Sequence, residues 1–449
     1  MTSGSSKIFR AWLAFACVFA GATCNAQTAT GAAGELAPEV DHHQHLLSPQ
    51  GAALANSPNN PPEIPPEVAQ LLRQREDSWN DPGRLAGIYS EDALTLNVDE
   101  QLWVHGRSDV AAYLGTRFAR PYQFTPIAYT GDDRRARLAV YYSRGDGPER
   151  RHIGSAMLEL VREDGQWRIA TEYPIFPGPP REEPLDGQRL VSMLDAAHIK
   201  RAVVLSVGYW FDSPLRPSAR SAAAMRAEND WTADQAARFP DRLVAFCSLN
   251  PVSDAAAAEL RHCIDDKRFK GLKLHFANSQ VDLLNADQVG RIREVFAAAN
   301  RARLPIVVHV RNGDAYGARE AHVFLEQLLT AAPDVPVQIA HLWGGGGFSA
   351  EALAVYAEAV AARSTATRRL YFDVSDAALA TNSTEFVKVV ADRIRQIGLD
   401  RILYGSDAAF ENHPDPQGSW TAFRNGIPLS AAEFEKIAHN VAPYLREPR

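Results

Sequence analysis

The amino-acid sequence predicts a (β/α)8 barrel interrupted after its first strand by a separate α+β domain. Three observations predict it. From Leu185 onward, seven continuous apolar runs alternate with helical patterns, as expected where both faces of a parallel sheet are covered. A histidine-rich island at Glu39–Leu47 supplies an eighth run at the front; eight strands with alternating helices in about 300 residues suit a barrel whose usual length is about 250. Between island and repeat lies Pro66–Phe176, flanked by prolines and patterned as helices followed by short strands, an α+β order. The expected divisions are 1–26, 27–65, 66–176 and 183–449.

The first division is read as an export signal. Lys7 and Arg10 precede an apolar run, Ala11–Gly21, and a set of small residues, with no acid among them; this is the layout of a secretory signal peptide. The run is shorter than the roughly 20 residues that span a bilayer. Cleavage fits after Ala22 or Ala26, so the mature chain is expected in the periplasm or outside the cell. Cys24 permits a lipid anchor, but Gly21-Ala22-Thr23 match the lipobox poorly. Export would allow Cys247 and Cys263 to pair. Cys247 lies in the strand-like run Leu243–Leu249 and Cys263 in a helical one, and both are expected to be buried small apolar residues.

Composition narrows the function classes. Of 449 residues, 46% are hydrophobic and 22% charged, an ordinary globular balance that excludes a disordered chain and a polytopic membrane protein. Lys plus Arg number 47 against 54 for Asp plus Glu, a net charge of −7. Without clustered cations there is no footprint for nucleic acid. Four cysteines in a chain of this length cannot form a disulfide scaffold. The expected partner is a small-molecule substrate, with no nucleic acid, no stable membrane insertion, and a second copy of the chain as a homodimer.

The remaining elements follow in order. Ser57–Pro66 is a linker, because proline removes donors and fixes φ. Val68–Ile88 reads as one amphipathic helix and Asp109–Phe118 as a second. Strands are expected at Leu94–Val98, Leu102–Val104, Leu138–Ser143, Ser155–Arg162 and Trp167–Tyr173, with a tight turn at Glu163-Asp164-Gly165. The barrel strands after the island are Arg201–Val207, Leu243–Leu249, Gly271–His275, Ile306–Val310, Val337–His341, Leu370–Val374 and Arg401–Tyr404.

Barrels of this kind carry their active sites at the strand C-termini. Strand one ends His43-Gln44-His45, and alternation turns residues i and i+2 to one face. Both histidines therefore point inward, with Asp41 deeper. Strand four carries Lys273 and His275, strand five His309 with Arg311 two positions on. Strand six ends at His341, before Trp343 and Gly344–Gly347, and strand eight leads into Gly405-Ser406-Asp407. Buried imidazoles need partners, and several imidazoles with a carboxylate at one mouth suit zinc or another first-row divalent ion.

The motifs Asp41-His42-His43-Gln44-His45, Gly271-Leu272-Lys273-Leu274-His275, Pro305-Ile306-Val307-Val308-His309, Ala340-His341 and Tyr404-Gly405-Ser406-Asp407 resemble the amidohydrolase superfamily. The resemblance is to its amidohydrolase-related branch, which includes decarboxylases similar to aminocarboxymuconate-semialdehyde decarboxylase. It covers Glu39–Pro49 and Leu185–Arg449. It implies His43, His45, His309 and Asp407 as ligands of one divalent metal, Zn2+ by preference. It implies His341 as the group that polarises the substrate or assists a water, and Asp407 as the carboxylate that also takes the water's proton. In the binuclear branch a strand-four lysine is carboxylated and bridges two metals; Lys273 and His341 would then serve a second ion. His275, Arg311 and Trp343 are the implied substrate contacts, Arg311 being suited to a carboxylate. The expected reaction is hydrolysis of a small ester, lactone or amide. The alternatives are non-oxidative decarboxylation of a small unsaturated or aromatic acid, and a non-catalytic exported binding protein.

Within the insertion, Tyr89-Ser90-Glu91-Asp92-Ala93, Val104-His105-Gly106-Arg107 and Arg162–Ile169 resemble the SnoaL-like, ketosteroid-isomerase-like cone. His152 and Glu172 would be its cavity candidates, with nothing marking an acid–base pair. Its ends fall on the loop after strand one, above His43 and His45, and prolines stiffen both connections; an ordered docking at the barrel mouth is expected.

Overall fold

The computed structural model describes residues 36–57, 61–97, 100, 102–117, 120–145, 151–176, 182–313, 316–377, 384–408 and 413–446. The export segment expected at 1–26, with Cys24, lies outside them. The barrel consists of β1 (Val40–Gln44) and, after six strands of the insertion, β8 (Arg201–Leu205), β9 (Leu243–Leu249), β10 (Gly271–His275), β11 (Ile306–His309), β12 (Val337–Ile339), β13 (Leu370–Asp373) and β14 (Ile402–Leu403). They pair in the order β1-β8-β9-β10-β11-β12-β13-β14. The ring closes where His42 N donates to Tyr404 O and Asp407 N to His43 O, each at 2.8 Å. The strands are buried almost throughout, since helices cover the outside and side chains fill the inside. Gly271 has no side chain because the Phe246 ring occupies that space: a Cβ there would lie 2.3 Å from it.

Strand six ends earlier than its apolar run suggests. β12 stops at Ile339, and His341 and Leu342 take φ of +55° and +61°, because Asp373 Oδ1 accepts the His341 amide at 3.0 Å and turns the chain into the mouth.

Cys247 and Cys263 form a disulfide, with Cα atoms 5.7 Å apart; the expectation of two unpaired apolar cysteines is corrected. The reason is the packing of one βα unit. The helix Ala256–Asp265 buries Ala256, Glu259, Leu260 and Cys263, a single helical stripe that brings Cys263 against Cys247 of the preceding strand, within disulfide reach.

The insertion is a six-stranded sheet, ordered β3-β2-β7-β6-β5-β4, with β2 (Tyr89–Asn97), β3 (Leu102–His105), β4 (Gln123–Gly131), β5 (Arg135–Arg144), β6 (Arg151–Glu163) and β7 (Gln166–Ile175). The helices Pro66–Asp77, Pro82–Ala86 and Arg107–Arg117 join it around a core of Leu71, Leu72, Leu85, Val110, Leu114, Leu138, Leu158 and Ile169. The single helix expected over Val68–Ile88 is two. Asp81 caps the second one by accepting from Arg84 N at 3.1 Å, and Pro82 at its first position cannot continue the helix before it. β4 was not expected; its sequence, Gln-Phe-Thr-Pro-Ile-Ala-Tyr-Thr-Gly, carries a proline that reads against a strand.

Glu172 is fully buried in the core of this domain. Arg75 Nε and Nη2 each donate to it at 3.1 Å, and the Tyr89 and Tyr142 hydroxyls donate at 2.5 Å. His152 instead faces the barrel side: its Nε2 donates to Asn56 O at 2.5 Å, while Nδ1 meets Ser143 Oγ at 2.9 Å. At the base of the insertion, Asn56 Nδ2 donates to Glu182 O and Glu182 N to Asn56 Oδ1, both at 2.9 Å. Leu47 and Leu185 pair just below.

Candidate active site at the barrel mouth

Side chains on or just after β1, β10, β12, β13 and β14 build the centre. His43 Nδ1–H donates to Asp373 Oδ2 at 3.1 Å, which turns Nε2 toward Lys273 Nζ at 3.0 Å and Asp407 Oδ1 at 3.7 Å. His45 Nδ1–H donates to Leu205 O at 2.6 Å, leaving Nε2 3.3 Å from the same Asp407 oxygen. His341 Nδ1 donates to Ser375 Oγ at 3.0 Å, and its ring lies 4.8 Å from that of His43. One ligand atom from each of His43, His341 and Asp407 falls within 4.8 Å of the others.

The structure places the other expected residues less uniformly. His309 stacks on His275, with ring centres 3.9 Å apart and planes 16° from parallel, and meets His341 edge-on at 5.1 Å; it is not a member of the tight trio among the described residues. The backbone of Gly345 holds it from behind, since a Cβ there would lie 2.1 Å from the His309 ring. Arg311 donates from Nε to Gly313 O at 3.0 Å and from Nη1 to Gly347 O, so it ties loop backbone together. Trp343 is fully buried and donates to Gly346 O at 3.3 Å; it belongs to the wall of the mouth. Asp41 lies below, holding Ser406 N at 3.0 Å and Ser406 Oγ at 2.5 Å.

The electrostatics favour neutral imidazoles. Burial, then Lys273, lower His43 to about 3 against the pull of Asp373. Burial likewise drives His45, His275 and His309 well below the ordinary histidine range. Burial also lowers Lys273 to about 8, with Asp407 and Asp373 opposing. Burial and Asp376 push Asp407 well above the carboxylate range, while Lys273 draws it back. Asp373 behaves oppositely: burial alone would raise it, but its interaction with His43 and the hydrogen bonds it accepts from His43 and Ser375 hold it below the usual range.

This donor set fits a divalent ion. Asp407 Oδ1 is buried and accepts no hydrogen bond among the described residues, yet it faces the lone-pair nitrogens of His43 and His45. An orphaned carboxylate oxygen beside neutral imidazoles is costly without a cation, and imidazole with carboxylate is a zinc-type ligand set.

Several site residues escaped the sequence reading. Asp373 anchors His43, His341 and Ser375; its one signal is a lone acid at the end of an apolar run. Arg216 lies in the loop after β8, 5.0 Å over the Trp210 ring, and its Nε and Nη1 are buried without a hydrogen-bond partner among the described residues. Neighbouring Tyr209 rests on His275 at 4.9 Å, which sets this loop beside the centre. His413 Nδ1 stands 3.8 Å from Asp407 Oδ2. Loop positions carry no periodicity that would mark them.

Comparison with known proteins adds the following. The family model described as "Amidohydrolase" matches residues 186–442, more than half of the chain. A γ-resorcylate decarboxylase of Rhizobium radiobacter is 27% identical over 288 residues, covering 58% of this chain and 86% of that protein. A second, from Rhizobium sp. (strain MTP-10005), is 26% identical with the same coverage. Among solved structures, 2,6-dihydroxybenzoate decarboxylase complexed with 2,6-dihydroxybenzoate matches 56% of this chain and 84% of its own, at 21% identity and a TM-score of 0.40. An NTF-2-like protein of Shewanella oneidensis matches 24% of this chain and 95% of its own, at 17% identity and a TM-score of 0.20.

Proposed function

Because the chain belongs to the amidohydrolase family, we propose that it is a metal-dependent carboxy-lyase that removes CO2 from a small aromatic acid. The observation that carries the metal is the buried, unpartnered Asp407 Oδ1 facing His43 and His45. The choice of reaction is supported by similarity to two curated γ-resorcylate decarboxylases; it puts decarboxylation ahead of the hydrolysis that the sequence alone favoured.

His43, His45, His341 and Asp407 would hold the ion, with His309 as the expected further ligand. When bound, a divalent ion supplies a Lewis acid that draws electron density from a substrate oxygen. The half-buried Arg216 guanidinium, with two unmet donors at Nε and Nη1, would supply the counter-charge for a substrate carboxylate. Asp407, through its second oxygen Oδ2, would pass a proton to the ring carbon that bears the carboxylate. The bond between that carbon and the carboxylate then breaks, its electron pair stays with the ring, and CO2 leaves. Each turnover consumes one proton, restored to Asp407 from solvent.

The test is a zinc-loaded preparation of the purified chain incubated with 2,6-dihydroxybenzoate, related hydroxybenzoates, and a panel of esters, lactones and amides. The expected result is CO2 released in step with loss of the acid. Hydrolysed product without CO2 would overturn the reading. Arg216→Met should raise KM for the acid about tenfold, since it removes a charge-assisted pair at a half-buried guanidinium. The export reading belongs to the same proposal, supported by the Cys247–Cys263 disulfide, a bond that persists in oxidising compartments. N-terminal sequencing of protein from fractionated cells should begin near residue 23 or 27.

A further inference from the structure

The centre is anchored from the opposite end of the barrel. The helical turn Pro443–Arg446 lies under the N-terminal ends of the strands. There Tyr444 and Leu445 pack on the inward-facing Val203, Leu205, Val244, Phe246 and Val307. The Tyr444 hydroxyl reaches up into the barrel and donates to Gln338 Oε1 at 2.7 Å. Gln338, fully buried on β12, donates from Nε2 to Asp373 Oδ2 at 2.7 Å and to His42 O at 3.3 Å. That same Asp373 oxygen accepts the Nδ1 proton of His43 at 3.1 Å.

The polarity of this chain has one consistent solution. The Tyr444 hydroxyl, kept protonated by burial, donates to the oxygen end of the Gln338 amide. The nitrogen end must then face the two acceptors, Asp373 and His42 O. A flipped amide would set its oxygen against the Asp373 carboxylate and His42 O, neither of which can donate, and so would cost two buried hydrogen bonds. With Gln338 fixed, Asp373 Oδ2 is held where it takes the proton on His43 Nδ1, and the His43 Nε2 lone pair is left facing Asp407.

We propose that Tyr444 and Gln338 are positioning residues that set the His43 tautomer from beneath the barrel, so that the C-terminal turn prepares the centre to receive a divalent ion. The ion-binding part rests on the metal reading above; the tautomer part does not. Outer partners that orient a ligating histidine change metal affinity about 10- to 100-fold.

The experiment uses the full chain as wild type, Tyr444→Phe and Gln338→Met. In metal-free protein labelled with 15N-histidine, the His43 resonances, assigned through His43→Gln, report which ring nitrogen bears the proton. Zn2+ affinity is measured by competition with a chromophoric chelator, and near-UV circular dichroism reports the fold. Wild type should show His43 protonated on Nδ1. Both variants should show a mixture of tautomers and a Zn2+ Kd raised about tenfold, with an unchanged near-UV spectrum. A wild-type tautomer and Kd in Tyr444→Phe would overturn the proposal, and this variant decides the matter if Gln338→Met does not fold. If wild type binds no Zn2+, the metal reading fails, and the tautomer measurement still decides the role of Tyr444 and Gln338.

Discussion

At the scale of single residues, the centre is a set of strand-end side chains whose protons are directed away from the mouth. His43 and His45 give their Nδ1 protons to Asp373 and to Leu205 O, and their Nε2 atoms converge on Asp407. Removing the Asp373 carboxylate should free the His43 ring. Asp373→Ala is expected to weaken Zn2+ retention about 10- to 100-fold, read as metal content after dialysis against a graded chelator. Gly345→Ala tests the back wall: Gly345 has φ of +106°, and an added Cβ would run into His309. The strained backbone alone should cost about 1–3 kcal/mol in urea unfolding, and the displaced His309 should lower kcat/KM. His43, His45, His275, His309, His341 and Lys273 were legible in the sequence because a polar residue at the end of an apolar run has few places to point. Asp373 was equally placed but was a single acid in a run read as core. Arg216 lies in a loop, where no period singles out one arginine from its neighbours.

At the scale of elements, the alternation of buried strands and helices was legible because most barrel strands after β1 are largely apolar on both faces, while local exceptions depended on contacts between elements. The Cys247–Cys263 bond is one: sequence shows a strand cysteine and a helix cysteine, and only the helix's buried stripe brings them together. For a loop of about 15 residues such a link contributes about 3 kcal/mol. The double variant Cys247→Ala/Cys263→Ala should therefore lose about that much in denaturant unfolding, and reductant should lower wild type but not the variant. A second case is the helix Ala431–Ala438, whose Ser430 and Glu433 form a reciprocal cap while Arg395 donates to Glu433 at 2.7 Å from a neighbouring helix. That hydrogen bond, with the Ser430 amide next, depresses Glu433 from 4.5 to about 2. Its contribution is therefore present above pH 4.5 and lost as pH falls through about 2. The pair is partly open to solvent, so Glu433→Gln should cost under about 1 kcal/mol near neutrality, and the gap from wild type should close at pH 2.

At the scale of the whole molecule, the barrel is assembled from two stretches of chain separated by a folded domain. β1, which carries His43 and leads into His45, lies outside the residues 186–442 matched by the family model, yet it pairs in parallel with β8, with a register shift between Asp41 and Gln44. Lengthening a connection costs little, about 0.6 kcal/mol per doubling of a flexible loop. A folded insertion costs less still when its two ends already touch, as Asn56 and Glu182 do through paired hydrogen bonds at 2.9 Å. Replacing residues 57–181 with a short Gly-Ser bridge should therefore leave β1 seated and Zn2+ binding intact, measured by chelator competition. Loss of Zn2+ binding would mean that the insertion, and not the β1–β8 ladder, holds the first strand in place. The same variant tests the role of the inserted domain, which reaches toward the barrel side through His152 Nε2 to Asn56 O. If the domain borders the mouth and restricts entry, its removal should change relative kcat/KM across hydroxybenzoates of increasing size, the bulkier acids gaining most. Unchanged ratios would reject gating and favour self-association through the exposed Trp103, Met157, Tyr173 and Ile175, which the excised chain would lack and which sedimentation of the full chain would reveal.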